Sequence, residues 1–326
     1  MGLDQVLLLG SAVLLASVLA ARVGVRLGLP SLLIFLGLGV LVAELGLRFD
    51  DADLAHSLGF AALVVILAEG GFTTRWQEIR GAMPMALLLA TAGVALSVLL
   101  VALFAHYALG VDWALAVLLG AIISPTDAAA IFSVLRKVPL PPRLRATLEA
   151  ESGLNDAPIV LLVATATSWA ISGTPEDTPL VITGLIVLEL AGGVLVGAVV
   201  GWIGVQILRR VALPASGLYP LGALGWAVLA YGAGSSAHLS GFAAVYVAAL
   251  ILGNGELPHR NATKSFAEGV GWIAQIGLFV MLGMLADPLD LSFRALGSGL
   301  LIGAFLTFVA RPLSVVACLA WFNVGW

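Results

Sequence analysis

The feature that most constrains this chain is a succession of apolar stretches, each close to the length of one bilayer crossing. They lie near residues 4–21, 30–47, 56–74, 83–106, 112–135, 145–171, 179–208, 217–233, 239–253, 265–286 and 295–323. A helix needs about 20 apolar residues to span the hydrocarbon core, and the connections are short, many of them bearing Gly or Pro. Charged residues make up only 10% of the chain, far too few to cover a soluble surface, where about 25% is usual. The runs are continuous rather than alternating, which excludes a transmembrane β-barrel. The expected fold is an all-α polytopic membrane protein with about eleven transmembrane helices, forming one domain over residues 1–326. The first stretch has no basic segment ahead of it and reads as a spanning helix rather than a cleaved signal.

Basic residues test that division independently. Alternate connections carry Arg22 and Arg26; Arg75 and Arg80; Arg136, Lys137, Arg143 and Arg145; Arg209 and Arg210; Arg260 and Lys264. The opposite connections carry only Arg48 and Arg294, together with Asp50, Asp51, Asp53, Asp112, Glu176, Asp177, Asp287 and Asp290. The positive-inside rule places the N-terminus outside and the C-terminus in the cytoplasm, as expected of a multi-pass protein of the cell inner (plasma) membrane. One basic residue, Arg311, remains inside the last stretch.

Ionisable groups at membrane depth are costly and point to function. The fifth stretch is interrupted by Ser124-Pro125-Thr126-Asp127. Pro125 has no N–H, and its ring crowds the carbonyl of Ala121; backbone groups freed in this way survive only inside protein or beside a cavity. Asp127 is placed to cap the second half-helix, so one discontinuous helix is expected here. Such breaks line ion sites in transporters, though a plain proline kink with a polar cap is the simpler alternative.

In the sixth stretch, Glu149-Ala-Glu151-Ser152-Gly-Leu-Asn155-Asp156 puts Ser152 and Asp156 one turn apart on nearly one face. Glu151 points about 140° away from Asp156 at 100° per residue. Arg311 needs a carboxylate partner, and Glu69, Asp127, Glu151 and Asp156 are the deep candidates; the orientation of Glu151 favours it. Glu69 reads either as a site carboxylate or as an interfacial one. Glu189 in the seventh stretch reads as a helix contact or an interfacial group. Gly192, Gly193, Gly197 and Gly201 form a ridge that predicts close helix packing.

Other classes find no support. No basic run suggests nucleic acid, and Cys318 alone gives no disulfide framework. Phosphate-loop, dinucleotide, metalloprotease and intramembrane serine protease motifs are absent, and the four His fall near stretch ends. No cofactor and no enzymatic activity are expected.

Four segments carry a resemblance: Leu-Ala-Glu-Gly-Gly-Phe (67–72), Ser-Pro-Thr-Asp-Ala-Ala-Ala-Ile-Phe (124–132), Glu-Ser-Gly-Leu-Asn-Asp (151–156) and Ala-Arg-Pro-Leu (310–313). With them the chain resembles NhaP-type monovalent cation/proton antiporters, and the stretches at 240–254 and 259–264 are most similar to the bacterial potassium/proton branch. The resemblance implies an inverted-repeat antiporter fold and a homodimer in the bilayer. It makes Asp156 the carboxylate that exchanges an alkali cation for a proton. Ser152 and the backbone around Thr126 and Asp127 become co-ligands, the cation lying among Asp156, Ser152 and Thr126. Asn155 is then the polar neighbour and Glu151–Arg311 the structural ion pair, with Glu69 a further candidate. The family pattern continues two spans further, so the second repeat is expected to lack its C-terminal part.

The expected function is electroneutral exchange of K+ or Na+ for H+, the two competing for Asp156 in alternating access. With Asn rather than Asp at 155, one carboxylate trades one charge for one. A sodium-coupled organic solute symporter is the rival, and would need a pocket for an organic group.

Overall fold

The computed structural model describes residues 2–27, 29–47, 49, 51–126, 140–173, 178–286, 292–320 and 322. In chain order, the helices are α1 (Leu3–Leu27), α2 (Ser31–Glu44), α3 (Ala52–Thr73), the short α4 (Trp76–Ile79), α5 (Met83–Leu109) and α6 (Trp113–Ile123). They continue with α7 (Pro142–Leu154), α8 (Asp156–Ser172), α9 (Pro179–Arg210), α10 (Leu218–Ser236), α11 (Gly241–Asn254), α12 (Arg260–Leu285) and α13 (Phe293–Leu319). Each apolar stretch read from the sequence contains a described helix, the fifth over Trp113–Ile123. Among the described residues, six helical segments, with the α7–α8 pair (Pro142–Ser172) counted as one, are long and apolar enough to cross a membrane, and four shorter apolar helices accompany them. The protein is a multi-pass membrane protein.

Two groups of helices separate by their packing. One contains α1, α2, α3, α9, α10, α11 and α12; the other contains α5, α6, α7, α8 and α13. They meet chiefly where α8 lies against α9 and α11. Small residues let the first group approach backbone to backbone. A Cβ on Gly39 of α2 would collide with the Val280 carbonyl of α12 and come within 2.9 Å of the Gly283 Cα. The expected glycine ridge on α9 behaves in the same way: Gly193, Gly197 and Gly201 lie against Ser240, Ala244 and Ala248 of α11. Close packing is what this ridge does.

The packing also repeats itself. Counting the apolar stretches in order, the second packs on the tenth and the third on the ninth; the first packs on the second and the eighth on the ninth. The third also meets the tenth, and the fourth meets the eleventh. Shifting every number by seven maps this set onto itself.

The fourth and eleventh stretches share a further detail. Each contains one π-helical turn, Leu89–Gly93 in α5 and Leu306–Ala310 in α13. Four residues after each turn stands a fully buried serine, and the Ser97 and Ser314 hydroxyls meet at 2.7 Å. Each hydroxyl oxygen also lies within hydrogen-bond distance of the carbonyl four residues back, at Gly93 and Ala310, so two protons serve three contacts, one of them shared between the serines. In α13 the turn precedes Pro312, whose missing N–H leaves a regular ladder one donor short.

The sixth stretch departs from the sequence reading. It was expected as one continuous helix, but α7 ends at Leu154 and α8 begins at Asp156, with Asn155 between them. The reason lies at Pro158, which has no N–H to give the Leu154 carbonyl. The ladder resumes on either side, with Asn155 N–H on the Glu151 carbonyl at 3.0 Å and Ile159 N–H on the Asn155 carbonyl at 3.2 Å.

Candidate functional site

Two interruptions meet in the second group. Helix α6 stops at Ile123, where Ser124 N–H closes the last turn on the Gly120 carbonyl at 3.1 Å, as Pro125 led the sequence to predict. Asp127, the expected cap of the following half-helix, lies outside the described residues. Asn155, at the bend between α7 and α8, is fully buried and reaches across to the α6 break. Its Nδ2 donates to Thr126 Oγ1 at 3.0 Å and lies 3.4 Å from the Thr126 carbonyl. One amide thus fastens the two irregular segments together.

Two oxygen atoms beside this link, Asn155 Oδ1 and Ser124 Oγ, are buried without hydrogen-bond partners among the described residues. An unpaired buried acceptor is unfavourable, and oxygen-only ligands suit a hard alkali cation. Ser152 is fully buried with its hydroxyl 3.4 Å from the Glu149 carbonyl. Asp156 is half-buried and opens α8, where the first N–H groups favour a carboxylate.

Glu151 has a different environment. It is 1% exposed, and its Oε1 accepts from Arg311 Nη2 of α13. The π-turn before Arg311 ends at Ala310, so the arginine leaves α13 where the helix changes pitch. The structure therefore joins the pair that the sequence favoured. A buried ion pair of this kind is costly to break, because the remaining charge is stranded.

Glu69 packs against α12. Its stem fills the notch at Gly271 of α12, where a Cβ would lie 2.7 Å from Glu69 Cγ, and its charge lies beside Glu268. Its stem therefore lies against α12 within the first helix group.

Comparison with known proteins matches residues 12–326 to the model of the sodium/hydrogen exchanger transmembrane family. The chain belongs to the sodium/hydrogen exchanger family. Among relatives of this exchanger chain, the K(+)/H(+) antiporter NhaP2 of Shewanella oneidensis is 35% identical over 316 residues, covering 96% of the chain and 55% of the relative. The K(+)/H(+) antiporter NhaP of Alkalimonas amylolytica is 36% identical over 314 residues, covering 95% and 54%. The chain thus spans about half the length of these curated relatives. The sodium proton antiporter MjNhaP1 of Methanocaldococcus jannaschii, solved at pH 8, superposes with a TM-score of 0.83 at 24% identity, covering 100% of this chain and 81% of that one. The exchanger chain shares that fold.

Sequence reasoning missed two contributors to the candidate site. Pro158 was part of an apolar run and was not singled out, although its missing N–H is a readable signal. Tyr246 of α11 gave no such signal. Its hydroxyl lies over Gly153, where a Cβ would come within 3.0 Å, so a residue of the first helix group touches the bend of the second.

Proposed function

We propose that this chain forms the membrane domain of a monovalent cation/proton antiporter in which K+ or Na+ and H+ compete for Asp156. The observation that carries the reading is the Asn155–Thr126 link, which fastens two interrupted helices beside Asp156 and has two buried oxygens beside it. A carboxylate shielded from water is neutralised either by a proton or by a cation. Asn155 Oδ1, Ser124 Oγ, Ser152 and Thr126 would supply neutral oxygens to a partly dehydrated cation, while Asp127 would balance the half-helix end. Glu69 would gather cations near the basic end without ligating the exchanged ion.

Arg311 supports this assignment by its engagement elsewhere: its pair with Glu151 gives the guanidinium a carboxylate other than Asp156. Movement of the α5–α8 and α13 group against the other would expose the site to alternate sides. With a single carboxylate at 155–156 the exchange is one for one and electroneutral. The bacterial relatives' names support potassium and the archaeal one sodium. Positive-inside topology places the N-terminus outside and the C-terminus in the cytoplasm of a plasma-membrane homodimer.

Reconstitution of the full-length transporter tests this. Proton flux should follow addition of K+ or Na+ to wild-type vesicles and disappear in Asp156→Asn, with the variant still folded and inserted. Flux in Asp156→Asn near the wild-type rate would overturn the assignment.

A further inference from the structure

Helix lengths in the first group differ in an informative way. Helix α9 has 32 residues, whereas α10 has 19 and α11 has 14. The turn joining α10 to α11 is fastened to the side of α9, with Ser240 N–H on the Glu189 carbonyl at 3.0 Å. Glu189 is ten residues into α9 from Pro179, about 15 Å along the axis at 1.5 Å per residue. A non-helical turn is thus sunk well below the rim. Irregular backbone at membrane depth persists only inside protein or beside water.

A cavity of about 280 Å³ lies at this point. It is lined by Val160 and Leu161 of α8, Glu189, Ser235, and the segment from His238 to Phe242. His238 sits in the recessed turn with a left-handed backbone, φ 56°, a conformation that costs energy in a residue with a Cβ. Glu189 is the cavity's carboxylate, His238 its imidazole, and Ser235 and Ser240 its hydroxyls.

The cavity's place relative to the exchange helix gives it a use. Val160 is four residues, one helical turn, from Asp156. The cavity faces away from the basic connections at 75–80, 209–210 and 260–264, which the structure gathers at one end. There Arg209 pairs with Glu256 at 3.5 Å, and Lys264 lies within electrostatic reach of Arg75, Glu78, Arg260 and Glu268. Glu189 stands twenty residues before Arg209 on the same helix, about 30 Å away.

We propose that the recessed turn and Glu189 form a vestibule that receives partly hydrated monovalent cations from the end opposite the basic loops and passes them to Asp156. This rests on the Asp156 reading above. Glu189 attracts and holds the cation; Ser235, Ser240 and His238 accept hydrogen bonds from its remaining water. Val160 and Leu161 form the apolar step beyond which the cation must shed that water.

Accessibility tests the vestibule without relying on transport. In the full-length transporter, Glu189→Cys and His238→Cys are exposed to a membrane-impermeant maleimide in right-side-out and inverted vesicles, with the unsubstituted protein as background. Both should label from the side opposite the basic loops, in an Asp156→Asn background as well, and added K+ or Na+ should slow labelling of His238→Cys while Glu189 is present. Absence of labelling from either side, or labelling from the basic side alone, overturns the proposal. Exchange gives the second measurement. Glu189→Gln should raise the half-saturating cation concentration on that side by roughly two- to fivefold, the range for loss of a partly solvated charge contact, and leave the basic side unchanged. An equal shift on both sides, or none, also overturns it. Because labelling is read whether or not Asp156 exchanges ions, failure of the vestibule and failure of the exchange site are separable.

Discussion

The two helix groups solve the problem of a polar backbone in an apolar medium in opposite ways. Helices α1, α2, α3, α9, α10, α11 and α12 each run unbroken, and their contacts are made by small residues such as Gly39, Gly193, Gly197 and Gly201. Every helix irregularity among the described residues falls in the other group: the π-turns at Leu89–Gly93 and Leu306–Ala310, the stop at Ile123 and the bend at Asn155. Most of the buried polar side chains, Ser97, Ser124, Thr147, Glu151, Ser152, Asn155 and Ser314, belong to that group as well, against Ser17, Ser240 and Thr263 in the first. Regular helices satisfy their own backbone and need only fit; irregular ones expose donors and acceptors that must be satisfied by side chains or by an ion. One group is a frame, and the other carries the chemistry.

That contrast predicts distinct responses to substitution. The largest belongs to the buried ion pair: Glu151→Gln or Arg311→Gln alone should destabilise the protein by about 3–5 kcal/mol. The double variant should lose far less than the sum, because no charge is then stranded. A thermal-unfolding cycle in detergent reads this directly, and plain additivity would break the pairing argument.

In the frame, Gly39→Ala should cost about 1–3 kcal/mol by overpacking α2 against α12, lowering the melting temperature without changing the cation concentration at half-maximal exchange. A changed ion affinity there would blur the division between the groups. Ser97→Ala should cost about 1 kcal/mol for one buried hydrogen bond, with Ser314→Ala adding little once Ser97 is gone, again by a thermal cycle. The smallest stability effect is expected at Pro158→Ala. Restoring an N–H for the Leu154 carbonyl should add about 1 kcal/mol at most, while the straightened helix pulls Asn155 from Thr126 and slows exchange. Unaltered exchange kinetics in that variant would remove the bend from the mechanism.

Much of the frame was legible because its signals are local. Apolar length locates the helices, alternating Lys and Arg give the order of connections, and glycines four residues apart mark close contacts. The break at Ser124-Pro125-Thr126 was legible for the same reason, since proline removes a donor at a known position. The bend at Asn155 was missed although Pro158 carries the same signal, because the proline sits within the run Ala157–Ala164 that reads as uninterrupted helix. The Glu151–Arg311 contact spans 160 positions, and orientation favoured it over Asp127, Asp156 and Glu69 without excluding them. The Tyr246 contact on Gly153 and the recessed turn beside Glu189 depend on how distant helices align in depth. No local pattern encodes that.

Competition at Asp156 is the central claim, and proton release on cation binding tests it most directly. Purified full-length transporter in weakly buffered detergent solution, followed with a pH indicator while K+ or Na+ is added, should release one proton for each cation bound. The Asp156→Asn variant should release none. Release that persists in Asp156→Asn, or wild-type cation binding with no proton released, would contradict exchange at this carboxylate.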